Sequence, residues 1–185
     1  MADAGLLVIT GPPGAGKSTV ARLLADRPGE PTPVSGPTVL VEGDRFFGFL
    51  ATGSIEPWRP EAAEQNAVVV DASAAATRRF VDAGWPTIFD GVIGPWFIDR
   101  FLDGMGVAEA DYAILLPPRD RCLDRVMTRV GHGFRDLAAA GKMHDEFERA
   151  TVDERHVIAN ADETPERTAA TLGAARRDGR LRYRI

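Results

Sequence analysis

The chain has 185 residues, 44% apolar and 26% charged, enough for one packed domain and too ordinary a mixture for a disordered one. Acidic side chains outnumber basic ones 27 to 22, a net charge of −5, the reverse of the balance a protein gripping duplex phosphates needs, so nucleic acid is set aside as the main partner. Cys122 has no second cysteine to pair with, no apolar run approaches the ~18 residues of a membrane span, and Met1 to Ala4 carry no basic leader, so a cytoplasmic protein without a membrane partner is expected.

In chain order, Leu6-Leu7-Val8-Ile9 reads as a buried strand, broken by the glycines of 11–16 and followed by a helix from Ser18 to Ala25. Four prolines between Arg27 and Pro37 force a loop. Val39-Leu40-Val41 is a second short strand running into Glu42-Gly43-Asp44, with Glu42 and Asp44 expected on one side of it. A proline-containing loop to Pro60 precedes a long Ala-rich helix from Glu61 to Ala83, stopped by Gly84. Thr87-Ile88-Phe89 is a third strand ending at Asp90-Gly91, and Gly94-Pro95 open a short helix to about Leu102. Tyr112 to Leu116 form a fourth strand, closed by Pro117-Pro118. A helix from Arg119 to Val130, a Gly- and Arg-rich segment to about Thr151, a fifth strand near His156 to Ala159 and a last helix from Pro165 to Arg177 complete the chain. Short apolar strands alternating with helices imply a parallel sheet covered on both faces.

Gly11-Pro12-Pro13-Gly14-Ala15-Gly16-Lys17-Ser18 matches G-x-x-x-x-G-K-[ST] in full and sits between a strand and a helix, the context that gives the motif its meaning. The glycines let successive N–H groups wrap a phosphate at the positive end of the following helix. Lys17 is expected on the β- and γ-phosphates of ATP and the Ser18 hydroxyl on Mg²⁺, with Thr19 beside them. Only two of the 22 basic residues are lysines, Lys17 and Lys142, so a lysine in this position carries weight. Ligands of an open α/β sheet lie beyond the carboxyl ends of its strands. That places Asp90, Asp44 and Glu42 near the phosphates, although an Asp at a strand end also serves as a cap or turn former.

The P-loop, the Glu42-Gly43-Asp44 step, Asp90 and the late Arg-rich segment together resemble the small P-loop kinases of the shikimate kinase, gluconate kinase and chloramphenicol phosphotransferase type, over nearly the whole chain. The resemblance implies an α/β P-loop NTPase three-layer sandwich with a five-stranded parallel sheet in the order 2-3-1-4-5 and a helical lid near 130–151, all within one domain, 1–185. It implies an ATP-dependent kinase, monomer or homodimer, acting on a hydroxyl of a small metabolite or antibiotic. Asp90 would serve the metal, with Glu42 a second candidate standing where shikimate-type enzymes carry Asp, and Asp44 would face the acceptor hydroxyl. Arg125 and Arg129, four apart on one helix, would close with the lid onto the transferring phosphoryl group. The stretch through Asn160, Thr164 and Pro165 resembles the loop that packs adenine.

Other readings stay open at this level. A nucleoside or nucleotide kinase would need a base pocket that is not evident, and a nucleotide-binding regulator or NTPase would need no acceptor. A GTPase would need N-K-x-D, which Asn160-Ala161-Asp162-Glu163 fails. Phe46, Phe47, Trp58 and Trp96 lie near the expected acceptor, and Arg45, Arg59 and Arg79 are candidates to meet an anionic one. His132, His144 and His156 have no metal-ligand spacing, and Cys122 reads as a small buried apolar group.

Overall fold

A computed structural model describes residues 5–26, 36–128, 134–161 and 163–185. Strands β1 (Leu6–Thr10), β2 (Val39–Glu42), β3 (Thr87–Asp90), β4 (Glu109–Leu115) and β5 (Val157–Ile158) form a parallel sheet in the order β2-β3-β1-β4-β5. The order expected from the resemblance is the order observed. A sixth strand absent from the sequence reading, β6 (Arg182–Arg184), pairs antiparallel with the start of β4. Its alternating arginines gave no apolar pattern to read; they pair instead with Glu109 and Asp111 across the ladder.

The helices are α1 (Lys17–Ala25), α2 (Ala63–Asp82), α3 (Ile98–Met105), α4 (Arg119–Thr128), α5 (Leu137–Arg149) and α6 (Pro165–Arg177). Alternate strand residues point to opposite faces, and two cores result. Leu7, Ile9, Ile88, Ala113 and Leu115 pack on one face with Val20 of α1 and Leu172 of α6. Leu6, Val8, Phe89, Tyr112 and Ile114 pack on the other with Val70 and Ala74 of α2 and Phe101 of α3. Two expected boundaries moved. The third helix begins at Ile98, because 94–97 are spent on a turn in which the Phe97 and Ile98 N–H groups both reach the Gly94 carbonyl. The strand β2 ends at Glu42, and residues Gly43–Phe49 wind into a 3₁₀ helix. The alternation therefore stops one residue before Asp44, and Glu42 and Asp44 do not share a side.

The turn after β3 is tied to the core by two polar contacts. The Tyr112 hydroxyl, fully buried, donates to the Ile93 carbonyl at 2.8 Å, and the Ile93 N–H donates to Thr10 Oγ1 at 3.0 Å. Tyr112→Phe leaves that carbonyl buried and unpaired, at a cost of about 1–2 kcal/mol. A urea or thermal melt should register it as a Tm fall of roughly 2–4 °C per kcal/mol; an unchanged melt would show that the turn is held by packing alone.

Candidate active site

The phosphate loop is fixed by backbone contacts. Gly11, Gly14 and Gly16 have φ of 144°, 82° and 96°, values that L side chains rarely adopt. A Cβ on Gly11 would lie 2.2 Å from the Leu115 carbonyl oxygen, and one on Gly14 would lie 2.2 Å from that of Cys122. The loop is thus pressed against the end of β4 and the body of α4, with Pro12 and Ala15 closing its turn through an Ala15 N–H to Pro12 carbonyl bond of 3.2 Å. Asn160, buried after β5, braces it from the other side by donating Nδ2 to the Ala15 carbonyl at 3.1 Å. Arg125 of α4 donates to the Gly14 carbonyl at 3.3 Å. Helix α1 starts at Lys17 with no side-chain cap and no acid in its first turn. Its free N–H groups and dipole therefore have no internal anion to satisfy them.

Lys17 is buried, and its ammonium donates to the Gly11 and Pro12 carbonyls at 2.9 and 3.2 Å. Asp90, also buried, accepts a hydrogen bond from Ser18; burial pushes its carboxyl up, against the pull of the Lys17 charge and the Ser18 hydroxyl. Hard oxygen donors from Ser18 and Asp90, beside a cradle in which backbone N–H groups converge, fit Mg²⁺ on a nucleotide phosphate. Glu42 stands opposite Asp90 in the sheet register. Its carboxylate is held by Arg22 of α1 at 2.6 Å and by Arg45, and the bond from Arg22 holds it below the usual carboxylate range. Glu42 is thus engaged as the partner of two guanidinium groups, and its oxygens face α1.

A cavity of about 670 Å³ opens from this loop. Pro13, Gly14, Gly16, Lys17, Ser18, Thr19, Arg125 and Thr128 line its phosphate end. Asp44 stands on its wall, as do Phe47, Trp58, Val69, Val70, Phe89, Ile93, Trp96, Phe134 and Met143. Of the aromatic set expected at the acceptor, Phe47, Trp58 and Trp96 line the cavity and Phe46 packs against the core behind it. Arg45, Arg59 and Arg79 are not among the lining residues; Arg45 is paired with Glu42, and Arg59 with Glu56 at 3.0 Å. Val69 and Val70 of α2, and Phe134 and Met143 around α5, escaped the sequence reading, because an apolar residue on a helix facing a cavity looks the same as one facing a core.

The expected lid divides. Arg129 and residues 130–133 lie outside the described residues. Residues 137–149 form α5, whose His144 and Phe147 are buried, with His144 Nε2 2.9 Å from the Pro117 carbonyl and Phe147 packed on Trp96. His144, Asp145 and Glu148 bring ligand-type atoms together on this helix, but Asp145 is committed to Arg119 at 3.1 Å. Thr164 and Pro165 do not line the cavity; Thr164 caps α6 by accepting from the Arg167 N–H, and Pro165 is its first residue.

Residues 6–150 match the AAA domain family. The chain belongs to that family. Its fold is similar to that of a sugar kinase from Janibacter sp. HTCC2649 in its unliganded form, with a TM-score of 0.67 at 20% identity over 93% of this chain and 94% of the other. It is also similar to the tunicamycin resistance protein of Deinococcus radiodurans (TM-score 0.59, 19% identity, 91% and 93% covered). A gluconokinase from Sinorhizobium meliloti 1021 gives a TM-score of 0.58 at 18% identity, with 95% of each chain covered. A sequence search of curated proteins returns no match. The fold is therefore that of the small P-loop kinases, as the sequence resemblance implied. Among the described residues no helix is long and apolar enough to cross a membrane.

Asp90 carries a cost that can be measured without substrate. Burial raises its folded pKa above the unfolded value, so at neutral pH the folded state bears a desolvation penalty that the unfolded state does not. Asp90→Asn should therefore raise the Tm of the ligand-free protein at pH 7 by a few degrees, about 1 kcal/mol corresponding to ~2–4 °C. The difference should shrink as pH falls through the raised pKa and vanish below the ordinary carboxylate range. A destabilised Asp90→Asn protein at pH 7 would mean that the Lys17 and Ser18 contacts outweigh burial.

Proposed function

We propose that the chain is an ATP-dependent phosphotransferase that moves the γ-phosphate of MgATP to a hydroxyl of a small molecule. The observation that carries this reading is the continuity of one cavity from Lys17 and Ser18 to Asp44 and an apolar-walled chamber beyond it. A regulator or simple NTPase has no use for a chamber on the far side of the γ-phosphate position. The kinase fold and its sugar kinase and gluconokinase neighbours support the same reading.

In this scheme the loop 11–16 and the start of α1 receive the α- and β-phosphates on their N–H groups. The Lys17 ammonium leaves the Gly11 and Pro12 carbonyls for the transferring phosphate, exchanging two neutral acceptors for a charged one. Ser18 and Asp90 would hold Mg²⁺, which would neutralise phosphate charge when bound. Glu42 keeps Arg22 and Arg45 in place at the edge of that site. Asp44, exposed at the start of the 3₁₀ helix, accepts the proton of the acceptor hydroxyl as its oxygen bonds to the γ-phosphorus. The bond from that phosphorus to the β–γ bridging oxygen breaks, and ADP leaves with the electron pair. Arg125, already bonded to the Gly14 carbonyl, is assigned to the negative charge that spreads during transfer, and Arg129, outside the described residues, is assigned to the same task by the resemblance. Asn160 serves the nucleotide indirectly, by holding the loop through the Ala15 carbonyl.

The decisive measurement is ADP release with and without added hydroxyl compounds; release that is independent of any acceptor would overturn the reading. Lys17→Ala should cut transfer by ~10²–10³, the usual loss for one preorganised charge. Asp44→Asn should cut it by ~10²–10⁴, the range of general-base contributions, with ATP affinity nearly unchanged. A large loss of ATP affinity in Asp44→Asn would move that carboxylate to the nucleotide instead.

A further inference from the structure

The lining of the acceptor chamber is unlike a sugar-acid site. Four lining residues are charged: Lys17, Arg125, Asp44 and Glu146. The two cations sit on the phosphate loop, with Lys17 bonded to the Gly11 and Pro12 carbonyls and Arg125 to that of Gly14. Beyond them the described lining carries Asp44 and Glu146, and Glu146 is paired at 3.9 Å with Lys142, whose ammonium also donates to the Trp58 carbonyl at 3.2 Å; Arg45, Arg59 and Arg79 lie elsewhere. The rest of the wall is aromatic and aliphatic. Trp58 meets Phe134 edge to face with ring centroids 5.1 Å apart, and Trp96 meets Phe147 at 5.0 Å. Asn66 on the wall donates Nδ2 to the Pro57 carbonyl at 2.7 Å, which fixes its amide.

An anionic acceptor in such a chamber would shed its hydration among apolar groups and face the Asp44 carboxylate. A neutral or cationic one would not meet that repulsion. The cavity as a whole, phosphate end included, measures about 670 Å³, within the range of sites for drug-sized organic ligands. Resting on the kinase reading above, we propose that the acceptor is an uncharged or cationic amphipathic alcohol, with an aromatic or bulky apolar body seated among Trp58, Trp96, Val70 and Phe134. Its reacting hydroxyl is placed by Asp44.

A two-by-two set of probes separates charge from apolar bulk: D-glucose, D-gluconate, phenyl β-D-glucoside and phenyl β-D-glucuronide. Their affinities are read by calorimetry on the whole protein with Mg²⁺ and ADP, and acceptor-dependent ADP release is read separately with MgATP. Phenyl β-D-glucoside should bind at least about tenfold more tightly than D-glucose, because burying one phenyl ring is worth roughly 1.5–3 kcal/mol, about ten- to a hundredfold. It should also bind about tenfold or more tightly than phenyl β-D-glucuronide. Trp58→Ala, a change at a partly buried position, should erase most of the phenyl preference. Gluconate or the glucuronide binding as well as the phenyl glucoside would overturn the proposal, as would a phenyl glucoside that fails to bind at 10 mM, a concentration of roughly 2.7 kcal/mol affinity. The expected order of affinities without any acceptor-dependent ADP release would uphold the chamber's selectivity and sink the transferase. Gluconate-dependent ADP release with the phenyl probes silent would do the reverse.

Discussion

The carbonyl oxygens of Leu115 and Cys122 leave no space for a side chain on Gly11 or Gly14, and the geometry of the whole site follows from that squeeze. Because the loop is clamped between the end of β4 and α4, its N–H groups hold their curvature without a phosphate to organise them. Preorganisation of this kind lets an electrostatic site act without rearranging during reaction. The clamp also explains why Arg125 and Asn160, far apart in sequence, arrive at the same loop: each bonds to a carbonyl that the curvature turns outward, Gly14 and Ala15 respectively.

The sheet assigns the acids. Glu42 and Asp90 are register partners on adjacent strands, so both side chains leave on the α1 face. There α1 meets them with two different residues, Ser18 for Asp90 and Arg22 for Glu42. One helix thereby gives two neighbouring carboxylates opposite fates, burial raising one and an ion pair lowering the other. The 3₁₀ turn carries Asp44 off the strand and into the wall of the chamber. Phe89, between Ile88 and Asp90, points the other way and contributes to that wall.

Much of this was legible in the residues. The P-loop motif fixes its own conformation, and the apolar runs Leu6 to Ile9 and Tyr112 to Leu116 announce the buried strands β1 and β4, although β4 begins earlier, at Glu109, and ends at Leu115. The sheet order came from resemblance, since nothing local in Val39–Glu42 says which neighbour it pairs with. The strand Arg182–Arg184 was illegible because two of its three residues are arginines held by ion pairs across the ladder, leaving Tyr183 alone to pack on the core. Glu42 was read as a metal candidate because the arginines that claim it lie 20 residues before and three after, and pairing at the first of those distances is a property of the fold. The roles of Thr164 and Pro165 were ambiguous in a different way. Thr-Pro-Glu is a helix start by its own chemistry, and that local explanation suffices for where they sit.

The two ends of the cavity are made of different material. The phosphate end is built chiefly from main-chain groups whose positions are set by glycine and by neighbouring carbonyls. The far end is a mosaic of side chains drawn from the 3₁₀ turn, the loop before α2, α2 itself, the turn after β3, and α5. Exchanging Val70 for a larger or smaller residue reshapes the second without touching a single atom of the first. A molecule organised this way can change what it modifies by small steps, each leaving the phosphoryl-handling apparatus intact, and the half-exposed Trp58 and Trp96 at the rim are the positions where such a change meets the least resistance from the core.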